Sequence, residues 1–245
     1  MAILTYHHIG DCPPGQQDHR GLWVTAASFR RQLEWLKTNG YVGIALDTIA
    51  AALTGEPPLP RRWVCITFDD GWLDNLTAAL PELESAGFQA TVFVISGKIR
   101  QGDPAHPWEN FLSAEEIREM QGRGICIGSH TRTHPHLTKL SDAQVAEELV
   151  GSREELAEVI GMQPRWLCYP FGNFSPRIAN IARDAGYAGA TSTIRDNRVG
   201  PDQLFWMPRV MVMDDTTPQR LAYMLSPWYH YVHAWKNRRR WKSIK

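Results

Sequence analysis

Short apolar runs alternate with stretches of helical spacing along most of this chain. Residues 2–6, 63–68, 90–95, 125–128, 166–168 and 188–191 are apolar and rich in β-branched or aromatic side chains, and each reads as a buried strand. Between them, Phe29, Leu33 and Leu36 predict a helix over 28–38 that Gly40 ends. Shorter helices are predicted over 47–53 and 78–86, with a Pro-rich turn over 55–60. Ser113 followed by Glu116, and Ser141 followed by Gln144, are capping-box starts for helices that reach near 122 and 160. A further helix is expected over 175–185. A βαβα rhythm of this kind implies one mainly parallel sheet covered by helices. A chain of 245 residues suits a single α/β domain with a full core. The division expected is a catalytic domain over 1–212 and a helical, aromatic and basic tail over 213–245.

Charge and composition narrow the classes. Twenty-six basic and 26 acidic residues cancel, so nothing in the net charge calls for a nucleic acid partner. No apolar run approaches the roughly 20 residues that span a bilayer. The strand over 2–6 begins at once and leaves no room for a signal peptide. Cys12, Cys65, Cys126 and Cys168 lack metal-binding spacing, and three of them sit in predicted strands, so they read as free thiols. The expectation is a cytoplasmic protein. In the tail, Trp228, Tyr229, His230, Tyr231 and Trp235 precede Lys236, Arg238, Arg239, Arg240, Trp241, Lys242 and Lys245. That pattern suits peripheral contact through 228–245 with anionic lipid at the inner membrane face, and equally a helix packing its aromatics on the domain.

Candidate chemistry lies at the strand ends. Thr67-Phe68-Asp69-Asp70-Gly71 closes one apolar run and His130-Thr131-Arg132-Thr133-His134 follows another. Two His and one Asp form a facial ligand set that leaves coordination positions open, and the second Asp is then free to act as a base. An Asp pair at a strand end is more commonly a solvated turn or a helix cap, and His residues four apart arise by chance. The two motifs gain weight together, because each directly follows a strand.

These motifs resemble those of the polysaccharide deacetylases, the family 4 carbohydrate esterases with the NodB homology domain. Tyr169-Pro170-Phe171-Gly172 resembles the family's third motif, and Leu4-Thr5-Tyr6-His7-His8-Ile9 resembles the opening of the branch that de-N-acetylates exopolysaccharides such as poly-N-acetylglucosamine. The resemblance runs from about residue 3 to 210. It implies a distorted, incomplete (β/α) barrel whose chemistry gathers at the C-terminal strand ends. It implies one divalent metal, Zn²⁺ before Co²⁺, Ni²⁺ or Mn²⁺, on Asp70, His130 and His134. By the same resemblance Asp69 is the general base, His7 the general acid and the Phe171 backbone N–H an oxyanion donor. The substrate is an N-acetylated carbohydrate, and a lipid- or nucleotide-linked glycan precursor in surface-polysaccharide metabolism fits a cytoplasmic site. Trp72, Tyr169 and Pro170 are the candidate substrate contacts. Alternation along the first strand sends His7 and His8 to opposite faces.

One position departs from the family pattern. Many members carry an Arg shortly before the Pro-Tyr-Gly turn that orients the catalytic Asp, and Cys168 and Tyr169 stand there instead. Arg209, in Met207-Pro208-Arg209-Val210, is the preferred substitute over Arg165, with an ordinary surface Arg as the competing reading. His136 reads as a loop or capping residue. An O-acetyl esterase or small-amide hydrolase would share these motifs, and a weakly catalytic glycan-binding module would keep the fold. A non-haem iron oxygenase also uses two His and a carboxylate, but its usual His-x-Asp pair is absent.

Overall fold

The computed structural model describes residues 1–55, 57–103 and 110–242, with side chains to 237. Parallel strands β1 (Ala2–Tyr6), β5 (Trp63–Phe68), β6 (Ala90–Val94), β7 (Cys126–Ser129), β8 (Trp166–Cys168), β9 (Gly189–Arg195) and β10 (Met207–Met211) lie side by side. Pairing of β1 with β5, from Ala2↔Val64 to Tyr6↔Phe68, closes them into a seven-strand barrel. It is a (β/α) barrel one strand short of eight. The short β4 (Val42–Gly43) adds to the N-terminal part of β5, and β2 (His8–Ile9) pairs with β3 (Trp23–Val24) outside the barrel.

Helices α1 (Ala26–Thr38), α2 (Leu46–Leu53), α3 (Leu80–Ala86), α4 (Ala114–Gly122), α5 (Asp142–Ile160) and α6 (Pro176–Asp184) follow. The capping boxes at Ser113 and Ser141 both form, and Gly161 ends α5 in the left-handed region that lacks a Cβ penalty. A π-helical turn, Asn75–Ala79, precedes α3. Beyond residue 212 come α7 (Pro218–Met224) and α8 (Pro227–Lys242). Leu221, Met224, Leu225 and Tyr229 from this segment join the main core rather than standing apart from it. Among the described residues no helix is long and apolar enough to cross a membrane.

Two-residue alternation sorts the strand side chains. Ala2, Leu4 and Tyr6 on β1, with Val64, Ile66 and Phe68 on β5, pack outward against the helices. Ile3, Cys65, Phe93, Trp166, Cys168 and Met207 form a separate interior cluster, plugged from below by Leu46 and Ile49 of α2. The Trp166 indole N–H donates to Asp47 of α2 at 3.0 Å. Arg165 pairs with that same Asp47 at 2.9 Å, so it belongs to the floor of the barrel and not to its mouth.

β10 was not legible as a strand because Pro208 removes a ladder donor and Arg209 is a charge in a central position. The structure accommodates both. The register shifts between Met207 and Arg209, as a bulge permits, and Arg209 finds a buried partner described below. β2, β3 and β4 are two residues each, too short to show a period, and β9 runs four residues beyond its expected end at 191.

Candidate active site

His7, Asp69, Asp70, His130, His134 and Phe171 all follow the C-terminal end of a barrel strand, so parallel order alone gathers them at one mouth. Asp69 continues the inward file of Cys65 and Thr67, and its carboxylate is buried. Arg209 reaches across from β10 and grips it in a fork, donating to Oδ1 at 2.6 Å and Oδ2 at 2.7 Å. The same guanidinium donates to Thr67 Oγ1 at 3.1 Å, to the Ser192 carbonyl at 3.1 Å and to Cys168 Sγ at 3.1 Å. Arg209 is 1 % exposed, which excludes the surface-Arg reading. Burial by itself would raise the Asp69 pKa, but the Arg209 charge and hydrogen bonds hold it well below the usual carboxylate range.

Alternation would turn Asp70 away from the mouth. It is brought back by a left-handed backbone, φ 75°. Thr131 (φ 65°), His134 (φ 63°) and Phe171 (φ 57°) share this conformation, and among the described residues these four are the non-glycine positions with positive φ. Each such residue costs about 1–3 kcal/mol. All four fall in the three motif loops, so the strain is concentrated where side chains must converge. Glu148 of α5 braces the His loop, accepting from the N–H of Arg132 at 3.0 Å and of Thr133 at 2.8 Å. Thr131 Oγ1 accepts the His134 N–H at 3.0 Å.

Asp70 Oδ1 then lies 3.5 Å from His130 Nε2 and 3.7 Å from His134 Nε2. A cation ~2.1 Å from each donor sets its ligands about 3–4 Å apart, so the three fit a divalent metal. The Nδ1–H of His130 donates to the Cys168 carbonyl at 2.7 Å, which fixes the tautomer and leaves the Nε2 lone pair facing the site. Burial opposes a charge on His130, yet Cys168 and the two carboxylates raise its pKa; burial and the neighbouring His130 lower that of His134. Asp69, His130 and Cys168 are a second close-set trio. The guanidinium already occupies both Asp69 oxygens and the thiol, so the Asp70 set is the one open to metal.

His7 Nε2 lies 3.9 Å from Asp69 Oδ2. Burial lowers its pKa, against the pull of Asp69 and Asp70. Its Nδ1 is buried without a hydrogen-bond partner. His8 points elsewhere, as alternation requires, with Nδ1 2.7 Å from Asp74 Oδ2. The third-motif loop turns tightly, the N–H groups of Gly172 and Asn173 donating to the carbonyls of Tyr169 and Pro170. A Cβ on Gly172 would sit 1.9 Å from Thr193 Oγ1, so only glycine lets the loop approach β9.

Two expected substrate contacts, Tyr169 and Pro170, are corrected. Tyr169 is fully buried and its hydroxyl donates to the Phe205 carbonyl at 2.8 Å; Pro170 is also buried. Trp72 is partly exposed and stacks with the His8 ring (4.2 Å) and the Phe111 ring (4.1 Å). Its indole N–H donates to Asp70 Oδ2 at 3.1 Å, orienting a candidate metal ligand. Trp72→Phe keeps the stack and removes this bond. It is expected to weaken metal binding ~10-fold, the scale of lost supporting contacts, measured by titration calorimetry. Unchanged affinity would reduce Trp72 to packing. The side chain that does line the mouth is that of Phe171, half exposed, edge-on to His134 at 4.6 Å and stacked on His136 at 4.1 Å. His136, read from sequence as a loop or capping residue, does precede the 3-10 turn Leu137–Lys139, but its stacking on Phe171, like that of Phe111 on Trp72, joins separate loops and leaves no local pattern.

Fold and mouth together define a (β/α) barrel with an Asp/His/His donor set at the C-terminal ends of its strands. A model of the polysaccharide deacetylase family matches residues 56–190, and the chain belongs to that family. A Bacillus subtilis protein named "Putative polysaccharide deacetylase YxkH" is 31% identical over 193 residues, 79% of this chain and 64% of its own length. The poly-β-1,6-N-acetyl-D-glucosamine N-deacetylase of Escherichia coli K12 is 22% identical over 91% of this chain and 38% of its own. The chain therefore spans less than two thirds of either relative. The Streptococcus pyogenes deacetylase PplD, solved in complex with acetate, superposes with a TM-score of 0.85 and 25% identity over 93% of this chain and 98% of its own.

Proposed function

We propose that this chain is a metal-dependent N-deacetylase acting on an N-acetylated sugar of the N-acetylglucosamine type. One observation carries the reading: a carboxylate held ionised by Arg209 stands beside an Asp/His/His donor set, with His7 Nε2 3.9 Å from that carboxylate. Asp70, His130 and His134 would hold the divalent ion, whose chemistry is to lower the pKa of a water and polarise the acetyl carbonyl. Asp69 accepts the proton of the attacking water. Arg209 keeps that carboxylate aimed and charged. The Phe171 N–H donates to the oxygen that gains negative charge, from a backbone already fixed in its left-handed turn. His7 Nε2, within reach of the same cleft, hands a proton to the leaving nitrogen, giving free amine and acetate. The named activity of the E. coli relative supports an amide over an ester.

The test is acetate release from N-acetylglucosamine oligomers and nucleotide-linked N-acetyl sugars. Release is expected to vanish on chelation and return with Zn²⁺, Co²⁺, Ni²⁺ or Mn²⁺. Undiminished release in chelator would overturn the metal dependence. Release from O-acetylated sugars alone would move the activity to an esterase.

A further inference from the structure

We infer that α8 is a docking element for an anionic bilayer surface. One side of the helix is tied to the barrel. Tyr229 is buried, the Nδ1 of His230 lies 2.8 Å from Asp196, and Asn237 donates to the Arg195 carbonyl at 3.0 Å. These anchors fix which side faces out. That side carries Trp228, Tyr231, Val232 and Trp235, spaced i, i+3, i+4 and i+7, so they form one stripe. Both tryptophans are 71% exposed, far more than a barrel-packing role would leave. The Arg198 guanidinium lies over the Tyr231 ring at 5.2 Å, adding a cation at the edge of the stripe.

Charge decides the partner. Residues 216–245 hold seven of the chain's 26 basic residues and none of its 26 acidic ones, in a protein of zero net charge. Arg238, Arg239, Arg240, Trp241, Lys242 and Lys245 belong to this segment, and their side chains lie outside the described residues. Two copies meeting through this face would oppose like charges. Trp and Tyr on the exposed side of a basic helix suit the headgroup layer, with the basic residues drawn to anionic lipid. Asn197, two residues past β9, donates to the Met224 and Ser226 carbonyls, and Leu225 accepts from the Met1 ammonium at 3.1 Å, so α8 starts toward the end of the barrel opposite Asp69 and Asp70.

The experiment is co-sedimentation of the full chain with phosphatidylglycerol and phosphatidylcholine vesicles at low and high salt. Binding is expected to be at least ~10-fold stronger to the anionic vesicles and to fall with salt. The double variant Trp228→Ala/Trp235→Ala should lose ~10-fold or more of that binding while its melting temperature holds, since both rings are exposed. Charge reversal at the exposed Lys236→Glu should weaken it too. Equal binding by the Trp variant, or no sedimentation with either vesicle, would overturn the inference. So would a dimer in light scattering that the Trp substitutions dissolve, or a single-stranded oligonucleotide that binds equally well without the tryptophans.

Discussion

Asp69→Asn is expected to lower acetate release by ~10² to 10⁴-fold while metal binding persists, the usual scale for an acid–base group. The donors of Asp70, His130 and His134 do not include Asp69, so calorimetric metal titration separates lost chemistry from a lost site. The pH profile supplies a second check. Asp69 is held ionised well below the usual carboxylate range, so it is already charged wherever the protein works and should not set the acid limb. As a depressed carboxylate it contributes stability that is present above its unfolded pKa of about 3.9 and is lost as pH falls from there toward the folded value. Activity within ~10-fold of the parent would remove Asp69 from the proposed mechanism.

Arg209→Met should be the most destabilising single change at the mouth. It leaves the Asp69 carboxylate buried with neither its charge partner nor its fork of donors. Breaking a buried pair from one side costs about 3–5 kcal/mol, read from urea unfolding. The pH dependence should reverse. With Arg209 gone, burial dominates and the Asp69 pKa rises above its unfolded value, so the carboxyl contributes most when protonated. The variant should therefore gain stability on acidification from neutral pH, where the parent does not. Adding Asp69→Asn to Arg209→Met should recover part of the loss, because the unpaired charge is then absent. A cost under ~1 kcal/mol would mean that the fork is incidental to the fold.

Local chemistry made much of this site legible. Asp69, Asp70, His130 and His134 sit directly after apolar runs, and a parallel barrel must collect such ends at one rim. Alternation along β1 separated His7 from His8, and the two do face different partners. Arg209 was reachable only through the Pro-Arg-Val segment, since the pair it forms spans 140 residues and nothing near Asp69 announces it. Tyr169 and Pro170 were placed by adjacency to a motif, but a tight turn buries two of its residues while presenting the third. Trp72 followed the same logic, and its stacking with His8 and Phe111, which arrive from other loops, could not be read locally.

The chain by itself determined the strand and helix rhythm, the inward file of Cys65, Thr67 and Asp69, and the set of residues able to hold a metal. These are consequences of period and side-chain chemistry, which act over a few positions. Only the tertiary structure decided that the barrel closes on seven strands, through β1 meeting β5. It also decided that Asp70 turns back into the mouth, that Arg209 and not Arg165 holds Asp69, and that the aromatic side of α8 faces outward. Each depends on which surfaces meet across long stretches of sequence, where burial and charge pairing outweigh local preference.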